Sequence, residues 1–356
     1  MTDALIYGDT LRSPELRHEV PVTIPDPFCY LERDGRRIAI LIGFEHERTR
    51  AAANGDGLEL VSFEELGWDE LMRSTSSRDD ALYELVARAC EHFDLRKAAV
   101  PADFPLGLGE LLRGRGIELE VAGRAFSARR RVKNEAELEG IRRAQRASDA
   151  ALAAVATLLR EADVEDGGLV HDGEPLTCER LRRVAEVVIA DHDASGEDLV
   201  IVSHGPQTAD GHEWGSGQVR VGEPVLADIF PRDRGSACYA DTTRTWCVGE
   251  PPEELLEYHK LSFEALQRTL AACRPGVSGR ELHRVACRVF EEAGYPTQLS
   301  KQAGEALRDG FYHALGHGVG LAIHESPRLA RDGEDLVLIT EDGAEVITDY
   351  SYALEP

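Results

Sequence analysis

A chain of 356 residues is long enough for roughly two domains, each with a sizeable core. Its 65 acidic against 40 basic residues leave a formal charge of −25, which disfavours nucleic acid and anionic membrane surfaces and points to small molecules or peptides as substrates. Seven scattered cysteines without a Cys-x-x-Cys, opening residues that lack the basic and apolar regions of a signal peptide, and the absence of any apolar run able to span a bilayer together predict a reduced, soluble, cytoplasmic protein.

From Ala4 to about Phe126 short β-like and helical pieces alternate. Phe28–Glu32 and Arg37–Ile42 are joined through Arg33-Asp34-Gly35, a hairpin signal, and Leu58–Phe63, Ala98–Val100 and Ile117–Val121 add strands. Leu82, Leu85, Val86 and Ala89 have the spacing of one helix face over Asp80–Phe93. No Gly-x-Gly-x-x-Gly follows a strand and there is no P-loop, so no cofactor is assigned to this α/β segment. His18, His46 and His92 lack carboxylate partners at telling spacing and are given surface or packing roles.

The basic run Ser127–Asn134 precedes a long helical pattern and marks the expected boundary, giving domains 1–130 and 131–356; the run itself reads as a solvated linker. A helix from Glu135 to about Glu161 carries Leu138, Ile141, Ala144, Ala151, Leu152, Val155, Leu158 and Leu159 on one face, interrupted only by Ser148. A second helix, about Cys178–Asp191, precedes a strand at Asp198–Ser203. Val225–Phe230 and Cys238–Trp246 then read as two hairpin arms around a turn containing Arg234-Gly235, with Asp228 and Asp241 embedded in strand-like sequence. Burying an unpaired carboxylate costs several kcal/mol, so an acid in such a place has a metal, a cation or hydrogen bonds beside it; two on adjoining arms favour a metal. Helices Glu253–Ala272 and Gly279–Glu292 follow and strands resume from Phe311, so the order helix, helix, strands occurs twice.

The run His313–Pro327 holds three histidines and one carboxylate in an apolar, glycine-rich setting. Gly316, Gly318 and Gly320 argue against a helix and predict an extended segment in which His313 and His317 share a face and look into one pocket. Together with Asp228, Asp241 and an acid ahead of the apolar strand Gly333–Thr340, this makes an oxygen-rich donor set with one nitrogen, suited to Mn²⁺, Fe²⁺, Co²⁺ or Zn²⁺.

With that spaced Asp/Asp/His/Glu set the chain resembles, over essentially its whole length, the pita-bread metallopeptidases, and among them the Xaa-Pro aminopeptidase and prolidase branch with its creatinase-type N-terminal domain. The resemblance implies an α/β (α+β) fold: a creatinase-like α/β domain, then a pita-bread domain with a pseudo-twofold helix-helix-strands repeat. It implies Asp228, Asp241, His317 and Glu334 as metal ligands, with Asp241 and Glu334 bridging. It further implies that His212 contacts the substrate or scissile group, that His324 hydrogen-bonds the reacting carbonyl, and that His313 lines the proline-binding side. The expected cofactor is a divalent metal, Mn²⁺ first with Co²⁺, Zn²⁺ and Fe²⁺ as alternatives, in up to two ions. The expected activity is hydrolysis of the N-terminal Xaa-Pro bond of short proline-containing peptides by a homodimer.

Two features depart from the family pattern. A further metal-binding glutamate, in a Glu-Pro-Gly type motif, is absent because Pro327 runs directly on to Glu334, and Asp332 stands where the family has an arginine. These departures leave open that Glu325 or Asp332 substitutes as a ligand, that the chain is a catalytically impaired pita-bread protein with a binding role, or that it hydrolyses a small non-peptide amide.

Overall fold

The computed structural model describes residues 3–53, 57–196, 200–330 and 347–356, and the chain divides into two units, Met1–Arg130 and Arg131–Pro356. The first contains, in chain order, β1 (Ala4–Gly8), α1 (Pro14–Glu19), β2 (Phe28–Arg33), β3 (Arg36–Leu41), α2 (His46–Ala52), β4 (Leu58–Ser62), α3 (Trp68–Ser74), α4 (Arg78–His92), β5 (Lys97–Val100), α5 (Leu106–Gly114), β6 (Glu118–Val121) and α6 (Gly123–Arg131). The strands form one mixed sheet in the order β4-β3-β2-β1-β5-β6. Its β2–β3 hairpin closes through Asp34 and Gly35, both at positive φ (50° and 80°), the left-handed pair that matches the twist of the flanking strands. On α4, Ser77 accepts the Asp80 N–H at 3.1 Å, and Leu82, Leu85, Val86 and Ala89 are buried, as the spacing predicts.

The basic run is not a solvated linker. Its first part ends α6, where Arg129 donates to Glu19 at 3.0 Å and to Glu32 at 2.7 Å, and Arg130 to Glu15 at 3.1 Å. Further on, Lys133 pairs with Glu325 and keeps only 10% of its side chain exposed. The partner acids lie 97 to 192 residues away for Arg129–Glu32 and Lys133–Glu325, so a local charge reading cannot see them.

The second unit runs α7 (Glu135–Arg160), β7 (Asp163–Glu165), β8 (Gly168–His171), β9 (Glu174–Pro175), α8 (Cys178–Asp191), β10 (Ala194–Ser195), β11 (Val200–His204), β12 (Pro224–Ile229), β13 (Arg232–Asp233), β14 (Thr242–Cys247), α9 (Glu253–Ala272), α10 (Gly279–Glu292), β15 (Gly316–Gly318) and β16 (Glu325–Leu329). The 26 residues of α7 start from a capping box in which Asn134 and Glu137 satisfy each other's backbone N–H groups at 2.9 and 3.0 Å. Its buried face, including Leu152, Val155 and Leu159, packs in one core with Leu181 and Ile189 of α8 and with Val202, Val225, Ala227, Ile229 and Trp246 of the antiparallel sheet β11-β12-β14. Ser148, the polar interruption, is buried and donates to the Ile229 carbonyl at 3.3 Å. None of the seven cysteines is in a disulfide. Among the described residues no helix is long and apolar enough to cross a membrane.

The turn after β12 is fastened by Asp233. Its carboxylate accepts two bonds of 2.9 Å from Arg143 on α7, and the N–H and hydroxyl of Ser236 at 2.6 and 2.7 Å. Burial alone would raise the Asp233 pKa, but Arg143 and Ser236 outweigh it and hold the carboxyl below its ordinary value. A depressed folded-state pKa contributes stability above the unfolded value of about 3.9, and that contribution is lost as pH falls through the folded value. Asp233→Asn is therefore expected to cost about 1–2 kcal/mol at pH 7, discounted because Arg143 is 40% exposed, with the gap to the parent closing at acid pH. Urea unfolding at both pH values checks this; a gap that does not shrink with acidification counts against it.

Candidate active site

Strand alternation builds the site. Val225, Ala227 and Ile229 of β12 point into the core, so Asp228 emerges on the opposite face, opposite Thr243 of β14. The Thr243 hydroxyl donates to Asp228 Oδ1 at 2.6 Å. Asp241 lies immediately before β14 rather than inside a strand. Burial raises the Asp228 pKa against the pull of Thr243; Asp241 raises it further, while His317 and His212 lower it, which puts these three side chains within electrostatic reach of Asp228.

The glycine-rich run is not one extended segment. It forms the short strand β15, a turn, and β16, which pairs back antiparallel with His317 opposite Arg328 and an irregularity between His317 and Gly318. This reversal brings His317 against His324, their ring centroids 4.4 Å apart at 81°, whereas His313 lies outside the strand. His313 instead sits beside the loop that carries His212: a β-carbon built on Gly211 would fall 3.4 Å from its Nε2, and the neighbouring Tyr312 hydroxyl donates to the Ala209 carbonyl at 3.0 Å. His212 and His313 are both exposed. Glu334, Asp332 and the expected strand Gly333–Thr340 lie outside the described residues.

His317 bears on whether a cation fits. Its Nδ1 is 3.0 Å from the Gly318 carbonyl, which can only accept, so Nδ1 carries a proton. Its Nε2 is 3.3 Å from Asp241 Oδ2. A neutral ring would point a lone pair at a carboxylate there, so the gap calls for a shared positive charge, either a second proton or a metal ion. Without an ion the Asp241 contact raises the His317 pKa, with the Gly318 bond adding to it. A backbone acceptor on one nitrogen, with the second nitrogen turned toward a carboxylate, is the arrangement that orients a metal-bound histidine. Among the described residues no three His, Cys, Asp or Glu side chains close to metal-holding distance; Asp228, Asp241 and His317 are the donors that fit, as part of a set. His324 titrates the other way: partial burial and the neighbouring His317 lower its pKa.

Sequence reasoning missed three participants. Thr243 stands two residues after Asp241, in Asp-Thr-Thr, where strand alternation could have placed it beside Asp228. Arg328, next after Pro327, is exposed opposite His317, has no carboxylate partner among the described residues, and lowers the pKa of both His317 and His324. Lys133 fell within the run read as a linker. Glu325, left open as a replacement ligand, is instead taken by Lys133 and by the Ala322 N–H at 3.0 Å.

An N-terminal α/β unit followed by a helix-helix-strands domain, with one aspartate on a strand, a second just ahead of the neighbouring strand and a histidine against that second acid, defines a pita-bread peptidase. The sequence model of metallopeptidase family M24 matches residues 139–346, and the chain belongs to that family. Over 242 residues it is 30% identical to the "Probable dipeptidase PepE" of Mycobacterium tuberculosis, covering 68% of this chain and 56% of that protein. Over 139 residues it is 35% identical to the Xaa-Pro dipeptidase of Lactobacillus delbrueckii subsp. lactis, covering 39% and 34%. The chain thus matches little more than half the length of the first of these curated relatives. Among solved structures, the prolidase from Pyrococcus horikoshii OT3 superposes with a TM-score of 0.76 at 20% identity, covering 99% of this chain and 95% of that one. The dipeptidase PepE from Mycobacterium ulcerans gives 0.74 at 21%, covering 99% and 92%. At these identities the likeness is one of fold: an N-terminal domain followed by a pita-bread domain.

Proposed function

We propose that the chain is a metal-dependent exopeptidase that hydrolyses the Xaa-Pro bond at the N-terminus of short peptides. The observation that carries the reading is the approach of His317 Nε2 to Asp241, beside Asp228, in a member of a metallopeptidase family. Asp228, Asp241 and His317 would hold the metal, with Glu334 from the following segment completing the set. Up to two ions, Mn²⁺ first, a homodimer and a cytoplasmic setting belong to the same proposal, as do 1–130 as the creatinase-like domain and 131–356 as the catalytic domain. A divalent ion held there supplies a Lewis acid that polarises a carbonyl and makes water a better nucleophile. His324, with its lowered proton affinity, is neutral near pH 7 and offers one N–H to the carbonyl oxygen as charge develops on it. His212, on the loop beside His313, would contact the substrate or its scissile group, and His313 would line the side that receives the proline ring.

Arg328 supplies a reason to favour dipeptides. An exposed guanidinium across the strand pair from His317 is placed to take the free carboxylate of a two-residue substrate. Mn²⁺-loaded protein is expected to cleave an Xaa-Pro dipeptide in preference to Xaa-Ala. Arg328→Ala is expected to raise KM for that dipeptide about tenfold while sparing its C-terminal amide. No cleavage by the loaded protein rejects the peptidase reading, and an equal effect on dipeptide and amide rejects the role of Arg328.

A further inference from the structure

We infer that Lys133 is a positioning residue for His324, acting through a buried ion pair with Glu325; the inference rests on the role proposed for His324. The His324 ring makes no hydrogen bond to a described residue, so its place beside His317 is set by its backbone. That backbone is clamped at Glu325, the adjacent residue. One Glu325 oxygen accepts the Ala322 N–H at 3.0 Å and closes the turn that contains His324; the other takes the Lys133 ammonium. The pair is sealed from water, with side chains 2% and 10% exposed.

Both ends of the clamp are anchored. Lys133 directly precedes the Asn134–Glu137 capping box and is therefore fixed to the first turn of α7. On the other side, the Gly320 carbonyl accepts the Tyr239 N–H at 2.8 Å, two residues before Asp241. Gly320 leaves the pair its space: a β-carbon there would fall 2.5 Å from Lys133 Nζ and 2.7 Å from Glu325 Oε2, so a side chain at this position would displace the ends of both. The turn bearing His324 is thus braced between the helix that opens this unit and the segment that delivers Asp241. Glu325, being neutralised by Lys133, is a strut and not a metal ligand.

The test uses Lys133→Met and Glu325→Gln, each alone and combined with His324→Ala, in the full chain loaded with Mn²⁺. With an Xaa-Pro dipeptide, each single variant is expected to lose about 10²-fold in kcat with KM and bound Mn²⁺ per chain unchanged. Neither is expected to lower kcat further once His324 is alanine. A kcat within twofold of the parent, or losses that multiply with His324→Ala, overturns the inference. Hydrogen–deuterium exchange of the peptide spanning 320–329 reads the same clamp without turnover: both variants are expected to exchange faster there and not elsewhere, and unchanged exchange overturns it even if no peptide is cleaved. Glu325→Gln is isosteric and retains an acceptor, so it carries both measurements if Lys133→Met does not fold.

Discussion

Replacing Asp241 with asparagine is expected to abolish bound metal and Xaa-Pro cleavage together. The carboxylate stands 3.3 Å from His317 Nε2 and interacts with Asp228, so it is the negative charge shared by the other two candidate donors. Asparagine keeps the volume but offers one neutral oxygen. Loss of an outer partner of a metal ligand costs about 10–100-fold in affinity or activity, and loss of a charged ligand should exceed the upper end of that range. The variant also removes the first cause of the raised His317 pKa, so in metal-free protein the imidazole should titrate at lower pH than in the parent. Elemental analysis after Mn²⁺ loading, dipeptide hydrolysis and NMR titration of His317 check the three parts. Metal-dependent turnover that survives the substitution would remove Asp241 from the site.

Trp246→Ala is expected to be the most destabilising single change in the second unit. Trp246 is 1% exposed, the largest fully buried side chain, and lies in the core that joins α7, α8 and the three-stranded sheet. Tyr350 meets it edge to face at 6.2 Å, and in the strand register it pairs with Val225. Truncating such a residue costs about 3–5 kcal/mol through lost burial and the cavity left behind, or about 10 °C in Tm for a unit of this size. The same strand carries Thr243 against Asp228, so Mn²⁺ affinity should weaken as well. Calorimetry of parent, Trp246→Phe and Trp246→Ala should rank them in that order; an alanine variant melting with the parent would mean that this core does not limit stability.

Helices were readable from the chain because periodicity and caps agreed. Cys178–Asp191, Glu253–Ala272 and Gly279–Glu292 have the bounds predicted, and Thr177 and Ser278 cap the first and third with side-chain bonds to the third residue on. The mixed α/β fold was readable in the same way, and the family through the spacing of Asp228, Asp241 and His317. What escaped was whatever depends on distant partners. The cations between Ser127 and Asn134 look solvated until acids as far off as Glu15 and Glu325 are folded against Arg130 and Lys133. The histidine run looked continuous because three glycines permit a strand; that they also permit the reversal bringing His324 rather than His313 to His317 is a matter of pairing register, which local sequence does not encode.

The alternation along β12 limits how this chain can diverge. Its residues obey a two-step reading frame, odd positions from Val225 to Ile229 inward and Asp228 outward. Loss or gain of a single residue within Pro224–Ile229 would exchange the two faces, driving the acid into the apolar layer and the aliphatics into the cleft. Point changes at Leu226 leave the frame intact. Length variation among descendants of this sequence should therefore collect in the connections on either side of the strand, while the six residues between them drift only by substitution.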